Sequence, residues 1–226
     1  MTRHNWFLYD EKTKLGWLPI LRNGHRFYKN HFNSCGWRIA IINGAVDNYL
    51  IKAVPNIRIL DVNEIAEVIC HIKHPQQRFI SSLACILQTH HPKVDTLLRD
   101  LDFSHTADIS TGLFYLKAFN DDHLYPISYL YSELWDKIHP VPMDHKMGNT
   151  NELTVKYFRS KNIDMNIPIH GKNYESNKDI NQLKSQIEKL LETHAGNEFY
   201  NRYVAKWFVE DLWLYEKAHE FYNVPR

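Results

Sequence analysis

Glu67-Val68-Ile69-Cys70-His71-Ile72-Lys73-His74-Pro75-Gln76-Gln77-Arg78-Phe79-Ile80-Ser81 is the stretch whose reading decides the fold. Its first six residues are mostly apolar and β-branched, the pattern of a buried strand. Lys73-His74-Pro75 stops the run. Pro75 suits the first turn of a helix, where its missing N–H would be unpaired in any case. Phe79, Leu83 and Ile86 then recur at helical spacing. The segment reads as strand, turn, helix.

A second such unit lies upstream. Trp17-Leu18-Pro19-Ile20-Leu21 is an apolar run broken by Arg22-Asn23-Gly24, and a helix is expected from there through about Phe32. The spacing predicts strands over 17–22 and 67–73, with further strands at Arg38-Ile39-Ala40-Ile41-Ile42 and Asn56-Ile57-Arg58-Ile59-Leu60. Trp135-Asp136-Lys137 is expected to begin an edge strand. Further helices are predicted over about 93–101, 108–119 and 150–161. Another is marked by Ile180, Leu183, Ile187 and Leu190. A closing helix carries Tyr200, Tyr203, Trp207, Asp211, Leu214 and Tyr215. Residues 163–179, rich in Asn and Lys, read as a loop. Strands interleaved with helices predict an α/β fold of three layers, a central, mainly parallel sheet flanked by helices. Ligands then belong outside the carboxyl ends of the strands.

Composition limits the alternatives. A chain of 226 residues buries about 70% of its unfolded surface, so one core suffices and a single domain over 1–226 is expected. Hydrophobic content of 44% with 23% charged residues excludes a mainly disordered chain. The net charge of +1 argues against bulk binding of nucleic acid, so any anion must be held by a local cluster. Cys35, Cys70 and Cys85 form no paired framework, which points to reduced thiols and a cytoplasmic setting. No stretch approaches a membrane span.

Two local clusters fit an anion. Arg22, Asn23, Gly24, His25, Arg26 and Phe27 follow the first strand, where backbone N–H groups at a helix start point outward. The arginines add bidentate donors, and Gly24 permits close approach of the backbone. A surface turn with solvated arginines is the other reading. Lys73, Arg78 and Ser81 follow the second strand and offer two cations and a hydroxyl to one phosphate. A capped helix with a solvated charged face competes with that. The phosphate-binding pattern G-x-x-x-x-G-K of nucleoside-triphosphate hydrolases is absent. His71 and His74, three apart on an extended run, point to opposite sides, so no metal is expected there.

Taken together, the two units resemble those of the sulfotransferases that use 3′-phosphoadenosine 5′-phosphosulfate (PAPS), in particular the carbohydrate-sulfotransferase branch. That family holds the 5′-phosphosulfate on a strand-loop-helix similar to I-P-K-x-G followed by two small residues. It holds the 3′-phosphate on a second unit similar to R-D/H-P-x-x-R-F-x-S. Ile20-Leu21-Arg22-Asn23-Gly24-His25-Arg26 resembles the first, with Arg22 in place of Lys and with Arg26 and Phe27 in place of small residues. Lys73 through Ser81 resembles the second, with Lys73 in place of Arg. Asp122-His123-Leu124-Tyr125-Pro126-Ile127-Ser128 looks like the family's H-x-x-P-Q element. Phe208-Val209-Glu210-Asp211-Leu212-Trp213-Leu214-Tyr215 is similar to its closing Y-x-x-D-x-x-L pattern.

The resemblance implies a P-loop-like fold and sulfuryl transfer from PAPS, leaving 3′-phosphoadenosine 5′-phosphate (PAP), to a hydroxyl or amine of a small-molecule or carbohydrate acceptor. It implies Arg22 at the leaving phosphate and the amides of 23–27 around the 5′-phosphate. Lys73, Ser81 and nearby Arg78 fall at the 3′-phosphate. His123 is the general base, or alternatively a structural histidine beside Pro126. Lys172 lies in a loop that either covers the nucleotide or is simply solvated. No metal, membrane or nucleic-acid partner is expected, and a soluble bacterial or viral protein is. The alternative is a non-catalytic nucleotide-binding or assembly protein that keeps the fold.

Overall fold

The computed structural model describes residues 6–20, 25–43, 54, 56–90, 124–143, 147–167 and 178–224. Among these, six strands form one sheet: β1 (Phe7–Asp10), β2 (Leu15–Leu18), β3 (Arg38–Ile42), β4 (Arg58–Leu60), β5 (Glu67–Ile72) and β6 (Ile138–Pro142). Their order is β4-β3-β1-β2-β5-β6. β2 pairs with β5, β5 with β6 and β3 with β4 in parallel, while β1 is antiparallel to both β2 and β3. Five strands therefore share one direction and β1 alone opposes them. The sheet is mixed, with α/β architecture.

The β1–β2 hairpin is the element the sequence reading did not draw. Asp10 Oδ2 accepts hydrogen bonds from the Thr13 amide (3.1 Å) and hydroxyl (2.6 Å), and Lys14 takes a positive φ of 62° to turn the chain. β2 then ends at Leu18, short of the predicted 22, because Pro19 has no N–H for the ladder. Ser132–Lys137 is a 3₁₀ turn rather than the start of a strand, and the edge strand β6 begins at Ile138. Its Pro140 and Pro142 suit an edge, where one row of backbone groups has no partner strand.

Helices cover both faces. On one face α1 (His25–Ser34) and α4 (Met147–Ser160) bring Tyr28, Phe32, Tyr157 and Phe158 against Leu8, Trp17, Ile69 and Val141. On the other, α3 (Ile127–Leu130), the 3₁₀ turn and α8 (Val209–Tyr222) bring Ile127, Leu130, Leu134, Leu214 and Ala218 against Phe7, Leu18, Val68 and Cys70. Strand residues alternate between the two clusters, as a two-sided sheet requires. α2 (Pro75–His90) packs Phe79, Leu83 and Ile86 on Leu183, Ile187 and Leu191 of α5 (Lys178–Glu192) in a third, all-helical cluster.

The expected closing helix is interrupted. α6 (His194–Phe199) runs into a π turn (Tyr200–Val204) and α7 (Ala205–Trp207). Phe208 (φ −105°, ψ 19°) separates these from α8. The break leaves Trp207 half exposed, while Asp211 and Leu214 stay buried. The helices predicted over 93–101 and 108–119 lie outside the described residues.

Candidate functional site

The chain leaves β2 and β5 in opposite directions. From β2 it passes through α1, on one face, to β3 and β4 on one side of the sheet. From β5 it returns through α3 and the 3₁₀ turn, on the other face, to β6 on the other side. β2 and β5 are neighbours, paired in parallel up to Leu18 opposite Cys70. In open α/β sheets ligands bind at such a switch point, outside the carboxyl ends of the two strands. Both strand-turn-helix units singled out in the sequence leave from that edge.

Arg22, Asn23 and Gly24 of the first unit lie outside the described residues, as do His123 and Lys172. His25 opens α1. Arg26 is exposed, whereas Phe27 is half-buried, edge-on to Tyr28 at 5.0 Å, and packs onto the sheet's core. The Phe27 side chain is thus turned toward the core and anchors α1.

The second unit is described in full. Lys73 is half-buried just past β5. The His74 ring accepts the Gln76 amide at Nδ1 (3.3 Å), which caps α2, and stands edge-on to Tyr215 at 5.3 Å. Burial lowers the His74 pKa. Ser81 is buried. Arg78 meets different partners from those expected. Its guanidinium is only 1% exposed, with one terminal nitrogen on Asp211 Oδ2 (2.6 Å) and the other on the Tyr125 carbonyl (2.6 Å). Asp211 Oδ1 accepts the Ile127 amide at 2.8 Å. Burial pushes the Asp211 carboxyl up to about 6, against the pull of Arg78 and of the Ile127 and Ser128 amides. Three of the four segments that carried the resemblance therefore meet at one buried ion pair.

Sequence reasoning missed His71 as a core element. Trp17 Nε1 donates to its Nδ1 (3.0 Å), which puts the ring proton on Nε2, 2.9 Å from Thr154 Oγ1. Thr154 in turn donates to the Thr150 carbonyl (2.6 Å), and Tyr28 stacks on the imidazole at 3.7 Å. Burial lowers the His71 pKa to about 3. At the opposite, amino end of β5, Glu67 Oε2 accepts from Tyr157 (2.7 Å) and Lys161 (2.8 Å), and Oε1 lies 3.5 Å from His139 Nδ1. Burial would raise this carboxyl, but His139, Lys161 and Tyr157 together hold it at about 2. No sequence motif marks this cluster, because its members meet only through the β5–β6 pairing and α4.

Of the tyrosines near the third segment, Tyr131 is core, while Tyr125 and Tyr129 stack at 5.0 Å and are half-buried. Comparison of the chain with protein-family models, curated proteins and solved structures finds no match.

Proposed function

We propose that the chain binds a 3′-phosphorylated adenosine nucleotide at the carboxyl ends of β2 and β5 and transfers the sulfuryl group of PAPS to a hydroxyl of a small molecule or carbohydrate. The observation that carries this reading is the switch point between β2 and β5, with Lys73 and the capped start of α2 on its ligand edge. Lys73 and Ser81 hold the 3′-phosphate in this reading. Arg22 and the amides of 23–27 hold the 5′-phosphosulfate.

Transfer is an in-line displacement. The acceptor oxygen forms a bond to sulfur while the bond from sulfur to the 5′-phosphate oxygen breaks, and the electron pair leaves on PAP. Arg22 stabilises that developing charge electrostatically, since a guanidinium is a poor proton donor at neutral pH. His123, acting as base, takes the acceptor's proton. The protein's contribution is mostly positioning and charge stabilisation, as in phosphoryl transfer.

A nucleotide-binding protein without transfer activity is the second reading, favoured by the packing of Phe27 into the core where the family carries a small residue. Incubation with labelled PAPS and a panel of sugars, phenols and aliphatic alcohols separates the two. Label transferred to an acceptor, lost in Arg22→Ala and His123→Ala, is the expected result. PAP binding with no transfer to any acceptor would leave the binding-only reading.

A further inference from the structure

We propose that Arg78 and Asp211 form a positioning clamp for the ligand edge, and that Arg78 acts through this clamp instead of touching the nucleotide. The inference rests on the nucleotide reading for its ligand arm only.

Both terminal nitrogens of Arg78 are engaged at 2.6 Å, one on Asp211 and one on the Tyr125 carbonyl. The side chain is 1% exposed and lies over the Phe208 ring, 5.5 Å from its centroid. Nε is buried without a hydrogen-bond partner among the described residues. To reach a phosphate, this cation would have to abandon a buried carboxylate, which is strongly unfavourable.

The partners lie far apart in the chain. Arg78 belongs to the first turn of α2, Tyr125 and Ile127 to the start of the return segment, and Asp211 to the first turn of α8. α3 has no side-chain cap of its own, since Pro126 occupies its N-cap. Asp211, 84 residues away, supplies the acceptor for its first amide. One ion pair thus fixes the entry of α3 against the helix start that carries Lys73 and His74. Apolar packing alone would hold these helices together, but it would not specify this register; directional bonds do.

A stabilising ion pair and a positioning one respond differently to replacement by apolar residues. Arg78→Met combined with Asp211→Leu removes both charges together, an exchange that often leaves stability unchanged or improved. It also removes the acceptor of the Ile127 amide and the donor to the Tyr125 carbonyl. Two readouts are taken on the full chain: amide hydrogen exchange of residues 124–131 without ligand, and calorimetric binding of PAP. The double variant leaves the Ile127 amide and the Tyr125 carbonyl unpaired and is expected to melt below the wild type, so exchange in 124–131 should rise at least tenfold beyond the change in the slowest-exchanging amides of β5, with PAP bound at least tenfold more weakly. Arg78→Lys keeps the charge but cannot span both acceptors, and is expected to fold and still bind PAP at least threefold more weakly. Wild-type exchange and wild-type PAP affinity in these variants would overturn the clamp. A wild-type protein that binds no PAP would remove the nucleotide reading alone; the exchange measurement then decides the clamp by itself.

Discussion

His71 shows how one side chain makes stability depend on pH. It sits in the core, bonded to Trp17 and Thr154. Its folded pKa of about 3 lies below the ordinary histidine value of 6.5. The unfolded chain therefore takes up a proton first as pH falls. The contribution of neutral His71 is fully present above 6.5 and is lost progressively from there down to about 3. Between pH 7 and pH 5 this one group costs about 2 kcal/mol of stability. Asp211 has the opposite sign: raised to about 6, it takes up a proton in the folded state before it does so in the unfolded one. Urea unfolding of wild type and His71→Gln at the two pH values isolates the histidine. The variant is expected to be less stable at pH 7, where the Trp17 and Thr154 bonds are disturbed, but to lose about 2 kcal/mol less on acidification. Equal losses in both proteins would mean that the imidazole is already protonated, or hydrated, in the folded state.

At the scale of elements, β2 is closely constrained by its neighbours. Gly16 lies between β1 and β5, and a Cβ there would stand 2.6 Å from Val68 Cγ1 and 3.1 Å from Phe7 Cδ2. Neither neighbour can swing away, because Val68 and Phe7 are both fully buried. Gly16→Ala should therefore destabilise the fold by about 1–3 kcal/mol, read from the urea midpoint at unchanged slope. A neutral substitution would show that the hairpin shifts freely on β5.

What the sequence made legible at this scale follows from locality. β3 and β5 were readable because each is a continuous run with a clear stop, Asn43-Gly44 for one and Lys73-His74-Pro75 for the other. α2 was readable from Pro75 and its apolar spacing. β1 was not: four residues carry too little pattern, and their role as a strand comes from pairing with both β2 and β3. Trp135 suits a strand by its residue type, whereas its place in the 3₁₀ turn before β6, packed beside Trp213 of α8, is a tertiary fact. Arg78 is the clearest case. Its sequence neighbours fit a phosphate ligand, and only the fold, which delivers Asp211 from 133 residues away, shows the guanidinium paired with a carboxylate.

For the molecule as a whole, the two ends of the parallel strands differ in character. The amino ends of β5 and β6 carry a closed cluster in which Glu67, His139, Tyr157, Lys161 and Tyr222 bond to one another. The carboxyl ends of β2 and β5 carry the switch point and the start of α2. With a net charge of only +1, affinity for an anion has to come from a local cluster and not from the overall field. The central claim, that this edge reads a 3′-phosphate, is tested most directly by titrating PAP and adenosine 5′-phosphate, by calorimetry, into wild type and Lys73→Ala. A charge-assisted contact contributes about 1.5–3 kcal/mol, which corresponds to roughly 10- to 150-fold in affinity. The account predicts a loss of that size for PAP in the variant, with adenosine 5′-phosphate nearly unaffected; equal losses for the two nucleotides, or no binding of PAP by the wild-type chain, would contradict it.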